Sequence, residues 1–514
     1  MSDRDSDSTI LLSRHENQAR LLGQYAIDFV RGGLARPNAA ALDQLRRFHT
    51  DSVGCAIAAL CHGCRAPWIL REEAFAYTAS PPQGGATCFG SPERVAPEKA
   101  VAANVSAVRE LDANGTNFGY DPRRGAARGE FGHNDFYPVV MAASQQVAAS
   151  GRQAALAMLC LDEIRGRLAE VFALRQYKID HVLHGAIASA ATYGALLGAN
   201  AEQIESAIGL VVAHYVPFRA IRHGDQLSDS KGASAALAAG AAVLSVQRAM
   251  RGFEGPRDIF RNAQALFCLF EPPDAPGLSP FDLELGTGGE QFAVMGMHFK
   301  LGLYEHQSAG AIQAVLELLT REPRLADDVS GIERIEVTIY EPAYGIICDG
   351  AKRRPMNRQS ADHSLYYIVA TLLRKAAACA DHGWTGLMLL PNDYNQAALA
   401  DPLTERLMAK VQVRHGGPEF DARYPDGIPT HLRIVHARLG TLDSGLVMYP
   451  TGHARADNEG LDELLREKFK RLAAGALDDP DSIIDGLNRL AELPSDELAL
   501  FYSFPIRTAP EASQ

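Results

Sequence analysis

Residues 111–138, LDANGTNFGYDPRRGAARGEFGHNDFYP, hold Asp112, Asn114, Thr116 and His133 in a run with little helical or strand periodicity. A loop this long inside an apolar, Ala-rich chain is uncommon and is usually functional or disordered. Phe118, Tyr120, Phe131, Phe136 and Tyr137 argue against disorder, because aromatic rings anchor a loop. Four other short clusters have the residue types for proton transfer or anion binding. They are Asp180, His181 and His184 in KIDHVLHGAIA; Arg222, His223 and Lys231 in RAIRHGDQLSDSKGAS; Lys300, Glu305 and His306 in HFKLGLYEHQSAG; and Asp362 with His363 in SADHSLYY. Taken singly, each has a plainer reading as a helix cap, a packed core histidine or a solvated charge. Taken together, they suit a carboxylate substrate: Lys and Arg would hold carboxylates, and His would move a proton near neutral pH.

The composition bounds what such a set can do. The chain has 514 residues, 47% hydrophobic and 22% charged, so it can bury a large core. A net charge of −12 argues against nucleic acid or an anionic membrane as partner. No apolar run reaches the ~18 residues of a membrane span. The acidic, polar start, MSDRDSDSTILLSRHE, has neither the basic-then-apolar order of a signal peptide nor the Arg-rich character of a transit peptide. A cytoplasmic protein with a short frayed N-terminus is expected. The eight cysteines are scattered, which predicts reduced thiols. CHGC at Cys61–Cys64 is the one metal-like spacing, and no second pair accompanies it, so no metal site and no iron–sulfur cluster is expected. No cofactor motif is present.

The positioning elements follow from apolar periodicity. Helices are predicted over 17–30, 38–60 with Asn38 as cap, a segment opening at Pro97, 139–149, 153–171, 186–197, 201–214 and 234–250. Pro81, Pro82, Gly84 and Gly85 mark a loop before them. Dense Ala lets helices approach closely, so an all-helical bundle is expected. Pro272, Pro273, Pro276, Gly277 and Pro280 mark a break. Beyond it, helices are predicted over 308–319, 361–374 and 403–410. Strands are predicted at 332–339 and 411–414, and 431–439 and 445–448 form a hairpin around TLDSG. This half reads as α+β with a small antiparallel sheet. Helices return over 464–473 and 480–493, in a tail that can pack on the bundle.

The motifs, in their order, resemble the MmgE/PrpD family, whose members include 2-methylcitrate dehydratase, cis-aconitate decarboxylase and iminodisuccinate epimerase. HTDSVGCAIAAL resembles the family's early helix. AANVSAVRELDANGT is similar to its Asn-to-Asp-to-Thr element, GHND to its GHPSD, and IDHVLHGAIASAATYGALLG to its LDHV-type helix start. The Lys231, Lys300–Gln307 and DHSLYYIVA segments correspond too, as does YPTGHARADNEGLDELLREKFKRL near the end. The resemblance implies a mainly α fold: an all-helical domain from 1–295 and 451–514, and an α+β lid from 296–450 with an antiparallel sheet. It also implies a homodimer and a metal-independent site between the two domains. Carried over by position, the catalytic candidates are Asp112, His133, His181, Lys231 and Lys300. The substrate-binding candidates are Thr116 and His306, then Tyr340 and His363, by the same carry-over, and Arg222 and His223 from the basic cluster.

The sequence also departs from the family pattern. Asn134 follows His133 where Pro is common. Tyr120 to Glu130 is long and basic, with Arg123, Arg124 and Arg128. Ala113 and Gly115 replace bulkier or acidic neighbours of Asp112, and Lys300 lacks the usual aromatic–Pro after it. The expectation is a cofactor-independent lyase that removes a proton beside a carboxylate and expels water from a di- or tricarboxylic acid. His133 would be the acid or base, with Lys231 and Lys300 clamping carboxylates. Decarboxylation or amino-dicarboxylate epimerisation in the same pocket, and a non-catalytic carboxylate-binding relative, are the alternatives. A small-molecule carboxylate is the expected partner, with no nucleic acid and no membrane.

Overall fold

A computed structural model describes residues 8–79, 84–121 and 126–508. The N-terminal 1–7, Pro81, Pro82, Arg123 and Arg124 lie outside the described residues. The first half is a helical bundle: α1 (Gln18–Val30), α2 (Ala39–Cys61), α3 (Arg65–Phe75), α4 (Pro97–Glu110), α5 (Tyr137–Val147), α6 (Gly151–Val171), α7 (Val182–Leu197), α8 (Ala201–His214) and α9 (Asp229–Met250). Local caps explain several starts. Asn38 accepts from Ala41 N at 3.0 Å, as expected, and reciprocal capping boxes open α6 (Ser150 and Gln153) and α8 (Asn200 and Gln203).

Two helices start earlier than the periodicity predicts. α7 begins at Val182, not 186, and α9 at Asp229, not 234. Lys231 therefore stands in the first turn of a helix and not in a loop. The signal is weak there because small residues are buried around the helix, so no polar face marks its phase. α9 packs along α4 closely enough that a Cβ on Gly232 would fall 2.1 Å from Glu110 Oε2. α3 was not anticipated; its Pro67 and its charged Arg71, Glu72 and Glu73 mask the pattern.

The second half is α+β. α10 (Ala309–Arg321), α11 (Leu365–Ala376) and α12 (Pro402–Lys410) accompany β3 (Ile332–Ile339), β4 (Val411–His415), β5 (Thr430–His436) and β6 (Gly440–Val447); β1 and β2 belong to the central loop below. The sheet order is β4-β3-β5-β6. The pairs β3–β5 and β5–β6 are antiparallel, with Ile335 opposite Ile434 and Ile434 opposite Leu442. The β3–β4 pair is parallel, with Ile335 opposite Val411, which corrects the expectation of a purely antiparallel sheet. The connection from β3 to β4 runs through α11 and α12, long enough for a parallel crossover. The hairpin turn also moves. TLDSG lies inside β6, and the chain reverses before it at Gly440, whose φ of +74° suits the left-handed region. β6 is an exposed edge strand, so its polar residues read like a turn.

Two hydrophobic cores result. One gathers the bundle with the tail helices α13 (Leu461–Leu472) and α14 (Pro480–Asn488). The other gathers the sheet and its helices, together with Leu111, Ala113, Phe118 and Phe131 from the central loop. The tail pins that loop. Lys468 of α13 donates to Asp51 Oδ1 of α2 at 2.5 Å and to the Ala113 carbonyl at 2.6 Å, fully buried. Removing one partner of a buried ion pair costs about 3–5 kcal/mol. Lys468→Met is expected to lower the urea unfolding midpoint accordingly, and adding Asp51→Asn should restore part of the loss. A single variant with wild-type stability contradicts this anchor.

Candidate active site

α4 ends at Glu110, and two residues later Asp112 takes a left-handed φ of +50°, unusual for a residue with a Cβ. That turn sends its carboxylate back toward the bundle. Arg109, in the last turn of α4, meets Asp112 Oδ1 at 2.8 Å. Lys300 donates to the Asp112 carbonyl at 2.8 Å and also to its carboxylate. Lys231 Nζ lies 3.3 Å and His363 Nε2 3.5 Å from Asp112 Oδ2. Burial alone would raise this carboxyl, but Arg109, Lys300, Lys231 and His363 hold it well below the usual carboxylate range.

A second carboxylate closes the network. Asp362 accepts from Lys231 at 2.8 Å, contacts His363 Nδ1 at 2.7 Å, and has Arg358 Nη1 at 3.4 Å. Arg358 in turn pairs with Glu110. Asp112, Asp362 and His363 present ligand atoms within 4.8 Å of one another, as a metal would need. The Lys231 ammonium already bridges the two carboxylates, in the position a cation would take.

The imidazoles come from the other end of the loop. β1 (Thr116–Asn117) pairs antiparallel with β2 (Gly132–His133), placing Thr116 opposite His133. Thr116 Oγ1 donates to the Gly132 carbonyl at 2.7 Å, so its hydroxyl is spent on the loop. The Asn134 amide donates to the Gly115 carbonyl at 3.0 Å, a bond that Pro at this position would lack. A Cβ on Gly115 would fall 2.4 Å from the Phe48 ring, which stacks on Phe299. The Asn134 departure therefore has a hydrogen-bonding reason and the Gly115 departure a packing one.

His181, at the start of α7, faces His133 with ring centroids 5.1 Å apart. Asp180 lies 3.6 Å from His181 Nδ1 and is held by Arg222. His133 Nδ1 and both ring nitrogens of His181 and His306 are buried without a hydrogen-bond partner among the described residues. Burial, joined by the Arg109 and Lys300 charges, pushes His133 well below the usual imidazole range. Burial does the same to His181, against the pull of Asp180. Glu305 moves the other way: burial and the neighbouring Asp112 raise its carboxyl to about 7.

Asp112, Thr116, His133, His181, Arg222, His306 and His363 line one cleft, with Arg109, Phe118, Phe131, Arg219, Glu305, Gln307 and Ile346. Lys231 and Lys300 stand behind Asp112, committed to protein carboxylates and not free as clamps. His223 is exposed in an adjoining outer cleft, because the turn after Arg222 points it to solvent. Tyr340 does not line the cleft; it is buried, stacked on Tyr424 at 4.9 Å, with its hydroxyl unpartnered among the described residues. Sequence reasoning missed Arg109, Arg219 and Arg358, and gave Glu305 and Asp362 no role. The three-residue spacing of Arg109 to Asp112 was the one available signal.

Residues 30–277 match the model of the MmgE/PrpD N-terminal domain, and residues 304–490 match that of the MmgE/PrpD C-terminal domain. The chain is similar to "2-methylcitrate dehydratase" of Salmonella typhi, 26% identical over 407 residues, covering 75% of this chain and 77% of that protein. It is 25% identical over 450 residues to the protein of that name from Cupriavidus necator, covering 84% and 85%. Against that of Escherichia coli (strain K12) it is 26% identical over 342 residues, covering 64% and 66%. With both halves matched in order around a shared cleft, the chain belongs to the MmgE/PrpD family.

Proposed function

We propose that this protein is a hydro-lyase that removes water from a hydroxy di- or tricarboxylic acid, as the names of its relatives suggest for them. The observation that carries the reading is the convergence on a single cleft of two buried, neutral imidazoles, His133 with an unpartnered Nδ1 and His181 with neither ring nitrogen hydrogen-bonded among the described residues, and one high-pKa carboxyl. Groups whose surroundings drive their pKa values apart are suited to opposite proton-transfer roles. The His133–His181 pair takes the proton from carbon beside a substrate carboxylate. Glu305 keeps its proton near neutrality and delivers it to the departing hydroxyl, so one proton is lost from carbon and one water leaves. Arg109, Lys231 and Lys300 hold Asp112 ionised and fixed at the cleft floor, and their positive field stabilises enolate-like charge.

The direct experiment is product analysis by NMR in deuterated water, starting from 2-methylcitrate. Loss of water to an unsaturated acid is the expected result. Release of carbon dioxide, or label exchange with no net change, would place the same proton transfer in a decarboxylase or an epimerase. Binding with no turnover of any acid tested would contradict an enzymatic role.

Two variants test the assigned groups. A positioned acid or base contributes about 10²–10⁴-fold, so His133→Gln should cut kcat by that range with an unchanged circular dichroism spectrum. Wild-type turnover in that variant removes His133 from the mechanism. The pH profile has its own sign. The imidazoles are base-competent above their depressed pKa values, so kcat/KM should hold as pH falls through 6.5. Glu305 loses its proton above about 7, so activity should fall on that alkaline side. Glu305→Gln should abolish the alkaline limb; a limb that survives belongs to another group.

A further inference from the structure

The inner cleft is tight, with about 40 Å³ of free space, while the outer cleft that shares its Arg219, Arg222 and Ile346 wall has about 850 Å³. A carboxylic acid of a dozen or so heavy atoms therefore has to extend across that wall. The outer cleft is basic: Lys178, Arg219, Arg222, His223 and Lys352 line it, against Asp225 and Asp349.

The cations divide sharply by what they already hold. In and beneath the inner cleft, Arg109, Lys231 and Lys300 are bound to Asp112, Arg222 to Asp180 and Arg358 to Glu110. Arg219 and Lys352 are different. Arg219 Nη1 is buried and has no hydrogen-bond partner among the described residues. Lys352 is 6% exposed, and its ammonium has neither an ion pair nor a hydrogen bond among the described residues. The Asp349 carboxylate accepts from the Lys352 backbone amide at 3.2 Å and acts on the ammonium through space, without an ion pair. Asp225 is exposed at the rim. Burial lowers the pKa of both cations, and the more distant carboxylates, Asp180 and Glu130 for Arg219 and Asp349 and Asp362 for Lys352, offset it only in part. Burying an unpaired charge is costly, so an anion from outside the chain is the natural complement.

We propose that Arg219 and Lys352 form an anion subsite in the outer cleft that holds a carboxylate remote from the reacting end of the substrate. The subsite selects acids with a further carboxylate beyond the two that flank the eliminated proton and hydroxyl. This rests on the hydro-lyase reading for what happens in the inner cleft, but the binding claim stands on the unpaired cations alone. By this geometry, a tricarboxylate is preferred over the dicarboxylate left when its carboxymethyl arm is replaced by hydrogen.

Two measurements separate the claims. In the first, citrate binding to the full-length protein is followed by calorimetry. A charge-assisted contact is worth about 1.5–3 kcal/mol, or roughly 10–150-fold. Arg219→Met and Lys352→Met should each weaken citrate binding at least tenfold, with Arg219→Lys intermediate and melting temperatures checked by circular dichroism. In the second, kcat/KM is compared for 2-methylcitrate and 3-methylmalate, which lacks the carboxymethyl arm. The preference for 2-methylcitrate should fall at least tenfold in both Met variants, through KM more than kcat. Wild-type citrate affinity in the folded variants, or no citrate binding by the wild type, overturns the subsite. Citrate binding that depends on Arg219 and Lys352, with no turnover of either acid, supports the subsite while removing the hydro-lyase reading.

Discussion

One buried carboxylate organises the centre of this protein. Asp112 is almost fully enclosed, on a left-handed backbone that a residue with a Cβ adopts rarely. It persists because three cations reach it from three places: Arg109 from the end of α4, Lys231 from the start of α9, and Lys300 from the chain leading to the sheet half. Removing a carboxylate from water is unfavourable by several kcal/mol, and only such close, multiple pairing offsets it. The ionised state of Asp112 is therefore a consequence of assembly. Unless the bundle and the sheet half are both in place, the carboxylate has no reason to stay charged.

The same constraint joins the two cores. Residues 111–138 leave the bundle, contribute Leu111, Ala113, Phe118 and Phe131 to the second core, and return through β2 to α5. Lys468 holds the Ala113 carbonyl from the tail, so a helix more than 350 positions away in sequence fixes the residue after Asp112. His133 and His181 are then presented from the bundle side, and Glu305, His306 and His363 from the other. The cleft is tight because these groups already lean on one another, and space for a substrate opens only outward, past Arg219.

The distinction between committed and uncommitted cations changes how the basic residues read. Lys231 and Lys300 look like anion clamps when seen as isolated lysines beside glycines. In place they neutralise Asp112 and Asp362, while among the described residues Arg219 Nη1 has no hydrogen-bond partner and the Lys352 ammonium no ion pair. Counting lysines near a site says little about which one is free to bind a ligand.

By itself, the sequence determined the helical bundle, the α+β second half, the capping of α2 by Asn38 and the importance of residues 111–138. Each of these depends on local periodicity, caps or composition, which the order of residues carries directly. The start of α9 and the turn before β6 were illegible, since a helix buried all round shows no amphipathic phase and an exposed edge strand resembles a loop. Asp112, His133, His181 and His363 were nameable as candidates, and their convergence was expected only through the family resemblance, not from residue spacing. Only the tertiary structure decided that Lys231 faces Asp112, that Tyr340 and His223 do not line the inner cleft, and that Arg219 Nη1 has no hydrogen-bond partner among the described residues. Those facts depend on distances between residues tens to hundreds of positions apart, and on burial, which turns a modest charge interaction into one that sets protonation.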